Sequence, residues 1–100
     1  MALVDAVVGS LRSGQTITWV PVLDLTSATI TGVIRDLFND SERAVAGTLT
    51  GTANEADGEF HWAYDEVDVA QEGSYRVKFT ADYGNDRPEI SFSEDWVVRP

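Results

Sequence analysis

The run from Gly73 to Tyr83 constrains the fold most, because its side chains alternate almost without a break between apolar and polar. Every second position is apolar, namely Tyr75, Val77, Phe79, Ala81 and Tyr83. Successive side chains of a β-strand lie on opposite faces of the sheet. The pattern therefore predicts a long strand with one buried and one solvated face.

Short β-rich runs separated by Gly, Asn, Asp and Ser clusters recur along the rest of the chain. We predict strands over residues 3–8, 15–23, 28–36, 43–51, 58–64, 73–83 and 87–98, the first of them either a strand or a short helix. No segment of ten or more residues has strong helical periodicity, although residues 36–44 are compatible with one helical turn. About seven such strands predict an all-β, antiparallel β-sandwich with Greek-key connections.

The composition fits one folded domain over residues 1–100, with residues 1–13 as a peripheral strand or arm. The chain has no Cys, which excludes disulfides, thiolate zinc sites and cysteine nucleophiles. No apolar run approaches the ~18 residues of a membrane-spanning helix, and the first residues lack the basic start of a signal peptide. We therefore expect a protein made in the cytoplasm.

The chain is acidic, with 17 acidic residues against 7 basic ones and a net charge of −10. Nucleic acids and anionic membranes bind through clustered Lys and Arg. The charge therefore predicts that neither is a partner, and it favours solubility.

Residues 68–75, DVAQEGSY, resemble the corner between strands E and F of an immunoglobulin-like sandwich. In that corner a Tyr at the start of strand F hydrogen-bonds to upstream backbone. The resemblance gives Tyr75 this role and makes Asp68 and Gly73 parts of the corner. Val77 stands where antibody-type domains have a Cys, so no inter-sheet disulfide is implied.

A second resemblance covers about residues 14–100. Residues 24–36, DLTSATITGVIRD, are similar to the DLTGATV…R(D) stretch of small phage and prophage domains of the baseplate upper protein N-terminal type. A strand of the G-x-F/V-x-W type follows at residues 58–62, and a D-x-A-x-x-G-x-Y-x-x-x-F corner at residues 68–79. The resemblance implies a non-enzymatic structural protein of a phage tail or baseplate. Such a virion component packs against other tail or baseplate proteins, or against itself as a homo-oligomer.

The sequence offers little catalytic or metal chemistry. His61 is the only His, and it alternates with Phe60 and Trp62, so we expect it on the surface and predict no catalytic residue and no cofactor. Two acidic segments, containing Asp65 and Asp68 and then Asp82 and Asp86, are weak candidates for a calcium site if they approach each other at one end of the sandwich. The alternative is that they are solvated loops.

Two further features concern binding. Trp19, Trp62 and Trp96 leave a carbohydrate-binding or adhesin-type module as an alternative function, although their alternation predicts core positions. Candidate interface residues are the apolar Val20, Val22 and Val33, expected to form one exposed patch, and the basic Arg76 and Lys78, expected to contact an acidic subunit.

Glu94 falls on an apolar face, and for it we predict a β-bulge over residues 93–95.

Overall fold

The computed structural model describes residues 3–10, 14–84 and 88–100. Within these residues the chain forms eight strands and one short 3₁₀ helix, Glu55–Asp57, and no α-helix. The strands are β1 Ala6–Val7, β2 Gln15–Thr18, β3 Thr29–Asp36, β4 Ser41–Ala44, β5 Thr48–Gly51, β6 Glu59–Ala63, β7 Gly73–Asp82 and β8 Ile90–Arg99. The predicted all-β class is confirmed.

The strands form two sheets. The larger sheet has the order β1-β8-β7-β3-β4, and the smaller sheet has the order β2-β6-β5. Neighbouring strands are antiparallel except for β1, which runs parallel to β8. β7 lies in the middle of the larger sheet and pairs with β3 on one side and with β8 on the other.

The core lies between the two sheets and, within the described residues, contains six buried aromatic side chains among sixteen buried apolar residues. β7 alternates as predicted, since Tyr75, Val77 and Phe79 are buried while the residues between them are exposed. Phe79 meets Phe60 of β6 edge to face, with 5.1 Å between ring centroids. Burying such a side chain contributes about 1.5–3 kcal/mol. The two inward faces therefore form one sandwich core.

The strand predicted over residues 3–8 is reduced to Ala6–Val7, and two others differ more. Residues 43–51 form two strands, because β4 belongs to the larger sheet and β5 to the smaller one. The chain crosses between the sheets at residues 45–47. The strand predicted over residues 15–23 ends at Thr18, just before Pro21, which has no backbone N–H to offer to a sheet.

The bulge predicted at residues 93–95 is absent. β7 and β8 stay in unbroken register, with Val77 opposite Glu94. Glu94 is half-buried and lines a cleft between the edges of β8 and β2. Leu3 and Val4 line the same cleft, and the N–H of Leu3 donates to the carbonyl of Asp95 at 3.0 Å. Glu94 thus lies in this cleft without a change of strand register.

Residues 36–44, which the sequence made compatible with one helical turn, form no helix but a hydrogen-bonded turn followed by β4. The backbone N–H of Asp40 donates to the carbonyl of Asp36 at 2.9 Å, which closes one turn. β4 begins at the next residue, Ser41. Residues 36–40 therefore connect two antiparallel strands of the same sheet.

Candidate interaction surface

The connection between β3 and β4 displays an aromatic side chain in solvent. Phe38 is 91% exposed, and its neighbour Leu37 is 47% exposed. The carboxylate of Asp36 accepts the backbone N–H groups of Phe38 at 2.9 Å and of Asn39 at 3.1 Å. The side-chain amide of Asn39 donates to the same carboxylate at 3.0 Å. We call residues 36–40 the Phe38 turn.

Electrostatic contacts further fix the Phe38 turn. The N–H donors of Asn39, and then that of Phe38, lower the pKa of Asp36 because they stabilise its ionised form. Arg35 forms ion pairs with Asp40 in the turn and with Glu42 of β4, the latter at 3.0 Å. The turn is therefore ordered before any partner binds, which reduces the entropy cost of binding.

The outer face of the larger sheet carries a group of cations around one valine. Arg35 lies opposite Arg76, and Val33 lies opposite Lys78, in the register of β3 and β7. These four residues, which we call the cationic face, line a shallow depression together with Glu42 and Ser93.

The three cations of this face differ in their partners. Arg76 is paired with Asp95 of β8 at 2.9 Å, and Arg35 with Glu42 at 3.0 Å. Lys78 is exposed and makes no hydrogen bond or ion pair to any residue that the structure describes. It therefore remains available to a carboxylate from another molecule.

The predicted interface residues do not form a single patch. Val33, Arg76 and Lys78 lie together on the cationic face. Val20 instead lines the cleft between the edges of β2 and β8, and Val22 is 72% exposed in the connection that follows β2. The sequence pattern places these valines on solvated positions but does not show which sheet each one lies on.

Asp68 holds together the corner that precedes β7. The side chain is fully buried, and its carboxylate accepts the backbone N–H groups of Ala46 and Gly47 at 2.8 Å and of Asp65 at 3.0 Å. It also accepts the indole N–H of Trp62 at 3.2 Å. A buried carboxylate is tolerated when N–H donors surround it in this way. Asp68 thus fixes the place where the chain crosses between the sheets.

The other corner residues lie next to this carboxylate network. The hydroxyl of Tyr75 donates to the carbonyl of Gln71 at 2.8 Å, which is the kind of hydrogen bond that the corner motif implies. The Tyr75 ring also packs against Gly73, where an added Cβ would lie 3.3 Å from the hydroxyl oxygen. The guanidinium of Arg43 lies 3.7 Å from the Asp68 carboxylate and over the Tyr75 ring. Sequence reasoning missed Arg43.

The described calcium candidates do not converge. The carboxylate of Asp68 is occupied by N–H donors, which a cation cannot replace without leaving them unpaired. Asp65 lies in the connection before β7, whereas Asp82 lies at the far end of β7, a strand of ten residues that is about 30 Å long at ~3.3 Å per residue. Asp86 lies outside the described residues. Among the described residues no group of three His, Asp or Glu side chains could hold a metal ion.

His61 lies on the outer face of the smaller sheet, as predicted, and is half-buried. Its Nδ1 lies 3.0 Å from the hydroxyl of Thr16 on β2. Trp19, Trp62 and Trp96 are all buried in the core. None of the three indole rings is therefore displayed as a surface on which a sugar could stack.

No family model matches the chain, and no curated protein matches it. Within the residues that the structure describes, no helix has the length and apolar character needed to cross a membrane.

Proposed function

We propose that the chain is a non-enzymatic structural module that acts by packing against a protein partner or against copies of itself. The observation that carries this proposal is Phe38, which is 91% exposed on a turn held by hydrogen bonds to Asp36. Burying one phenylalanine side chain is worth about 1.5–3 kcal/mol. In an isolated chain Phe38 stays in water, so this free energy of burial is not gained. It would be gained if Phe38 entered an apolar pocket on a partner.

The Phe38 turn has the properties of an interface anchor. Binding energy concentrates in a few large, rigid side chains that enter pockets on the partner. Leu37 extends the apolar surface, and the Arg35–Glu42 ion pair lies beside it as a polar rim. Rim charges contribute mainly to the rate and selectivity of association.

We further propose that the sandwich is immunoglobulin-like. In that fold strands B, E and D form one sheet, and strands G, F and C, with C′ in the variable type, form the other. Taking β2 to β8 as B, C, C′, D, E, F and G in chain order gives both observed sheets, β2-β6-β5 and β8-β7-β3-β4. The hydrogen bond of Tyr75 at the start of β7 also supports this assignment.

The phage or prophage tail is the setting we propose for this module. Its support is the order of the three motifs, at residues 24–36, 58–62 and 68–79, which fall on β3, β6 and the corner leading into β7. In this setting the partners are other tail or baseplate proteins, and the chain is a virion component.

The test has two parts. The position of the gene is mapped first, and the chain is then assayed for binding to the products of adjacent genes, with light scattering to measure its own oligomeric state. We expect an adjacent tail gene product to bind, and Phe38→Ser to weaken binding at least about tenfold, as loss of one apolar anchor does. Val4→Ser removes an apolar side chain that is 68% exposed and lies before β1, so it is the matched control and should leave binding unchanged.

A strictly monomeric protein encoded outside any tail gene cluster, with no binding to adjacent gene products, would contradict the proposal. The carbohydrate-binding alternative gains no support, because all three Trp are buried. A glycan array with strong binders would nevertheless favour that alternative over the one proposed.

A further inference from the structure

We propose that the cationic face binds the acidic turn of a second copy of this chain, so that copies associate head to tail. The acidic turn is Asp65, Glu66 and Val67, in the connection between β6 and β7. This inference rests on the proposed function as a packing module. It adds the surface, the partner and the symmetry of the contact.

The cationic face is suited to carboxylates. Lys78 has no partner among the described residues, while Arg35 is paired with Asp40 and Glu42 and Arg76 with Asp95. A guanidinium has five N–H donors, so an arginine that is already paired can still donate to a second carboxylate. Val33, 37% exposed between these cations, provides an apolar centre for the contact.

The acidic turn is complementary in both charge and shape. Val67 is 54% exposed and follows two exposed acids, Asp65 and Glu66. The carboxylate of Glu66 makes no hydrogen bond or ion pair within the part of the chain that the structure describes. One apolar side chain beside two carboxylates therefore meets one apolar side chain beside three cations.

The turn is also rigid. Its first backbone N–H, that of Asp65, donates to the buried Asp68 carboxylate at 3.0 Å. The N–H of Asp68 returns to the carbonyl of Asp65 at 3.0 Å, and the N–H of Val67 donates to the Asp65 carboxylate at 3.1 Å. A turn fixed in this way loses little entropy when it docks.

The overall charge limits the surfaces through which two copies can meet. With a net charge of −10, two copies repel each other over most orientations. The cationic face holds three of the seven basic residues, and Lys78 among them has no partner within the described residues, so an acidic segment of another copy is attracted to it. At physiological salt, repulsion between distant charges is screened beyond about 8 Å, while contact pairs are screened less.

The contact joins different surfaces of the two copies. The cationic face lies on the side of the larger sheet, whereas the acidic turn lies at the end of the sandwich where β7 begins. Such a heterologous contact does not close into a two-fold dimer, and it propagates into a ring or an open chain.

The experiment is sedimentation velocity of the chain from low micromolar to millimolar concentration at physiological salt. The variants are Lys78→Glu, which alters the face, and Glu66→Lys, which alters the turn. Glu89→Lys makes the same change of charge as Glu66→Lys, at an exposed residue just before β8, and it serves as the control. Thermal melts of all variants check that these surface changes leave the fold intact.

We expect the parent chain and the control to associate and each of the two test variants to associate at least about tenfold more weakly, the usual size of effect for a contact charge pair. An equimolar mixture of the two variants should associate again, because the intact turn of Lys78→Glu meets the intact face of Glu66→Lys. A parent chain that stays monomeric overturns the inference. So do variants that associate like the parent, or a mixture that does not recover.

The outcomes separate this inference from the proposed function. A monomeric chain that binds an adjacent gene product through Phe38 overturns head-to-tail packing and leaves the proposed function intact. A monomeric chain that binds no adjacent gene product contradicts both.

Discussion

Among single residues, Asp68 connects more of the structure than its position in a loop suggests. Its carboxylate accepts N–H groups from the crossing between sheets, from the acidic turn and from the indole of Trp62. Gly47 is required for this close approach, because an added Cβ there would lie 2.7 Å from the carboxylate and 2.1 Å from the carbonyl of Ala63. One buried side chain thus fixes several backbone segments.

Asp68→Asn should therefore destabilise the fold. The amide would place a donor against N–H groups that need an acceptor, and each buried donor left unpaired costs about 1–3 kcal/mol. We expect the free energy of unfolding in urea to fall by about 3 kcal/mol. Asp57→Asn, at an exposed position in the 3₁₀ helix, should change it by less than about 0.5 kcal/mol. Equal losses in the two variants would show that the Asp68 network is unimportant.

The corner hydrogen bond of Tyr75 allows a narrower test. Tyr75→Phe keeps the ring in the core and removes only the hydroxyl that donates to Gln71. A net loss of about 1 kcal/mol in the free energy of unfolding is expected from urea denaturation. A variant as stable as the parent would mean that the bond contributes nothing to the corner.

Asp36 should titrate below its ordinary pKa of 3.8. A carboxylate whose pKa is lower in the folded than in the unfolded chain stabilises the fold above the unfolded value, and this stabilisation is lost as pH falls through the folded pKa. The Phe38 turn should therefore stay ordered in mild acid and loosen only when the pH falls through the lowered pKa of Asp36. Carboxyl-carbon NMR measures the midpoint directly, and a midpoint at or above the ordinary value would refute the hydrogen-bonded turn.

Among the strands, β7 has the most extensive backbone pairing, because it pairs along nearly its whole length with both β3 and β8. Local opening follows the number of such contacts. We expect amide hydrogen exchange to be slowest in the middle of β7. It should be much faster in β4, which has one neighbour in its sheet. Equal rates in the two strands would contradict the topology.

Strand alternation predicted those elements whose pattern is set by one buried face. β7 and β6 are examples, because each has large apolar residues at every second position. Residues 43–51 have small side chains and Thr, and nothing in their spacing indicates that the chain changes sheets at residues 45–47. That change depends on Asp68, which lies more than twenty residues later.

The candidate surface was predictable only in part. Arg76 and Lys78 follow from the polar face of β7, and Val33 from that of β3, so their exposure was expected. Their pairing with each other needs the register of the two strands, which alternation leaves open. Phe38 was missed, since a lone aromatic residue in a turn has no periodic pattern to identify it.

For the whole molecule, the acidity should matter more than any specific cation. Seventeen acids against seven bases repel each other in the compact state. Sodium chloride should raise the melting temperature by screening this repulsion. Calcium chloride at matched ionic strength should raise it no further. A calcium-specific increase at millimolar concentration would instead support a metal site.

The most direct test of the packing-module account is an amide NMR titration of the ¹⁵N-labelled chain with the product of an adjacent gene. The account predicts that shifts and line broadening concentrate in the Phe38 turn and at Arg35 and Glu42 beside it. It also predicts that they are absent from the outer face of the smaller sheet, around Thr16 and His61. Perturbations centred on that smaller sheet, or no perturbation with any adjacent product, would contradict it.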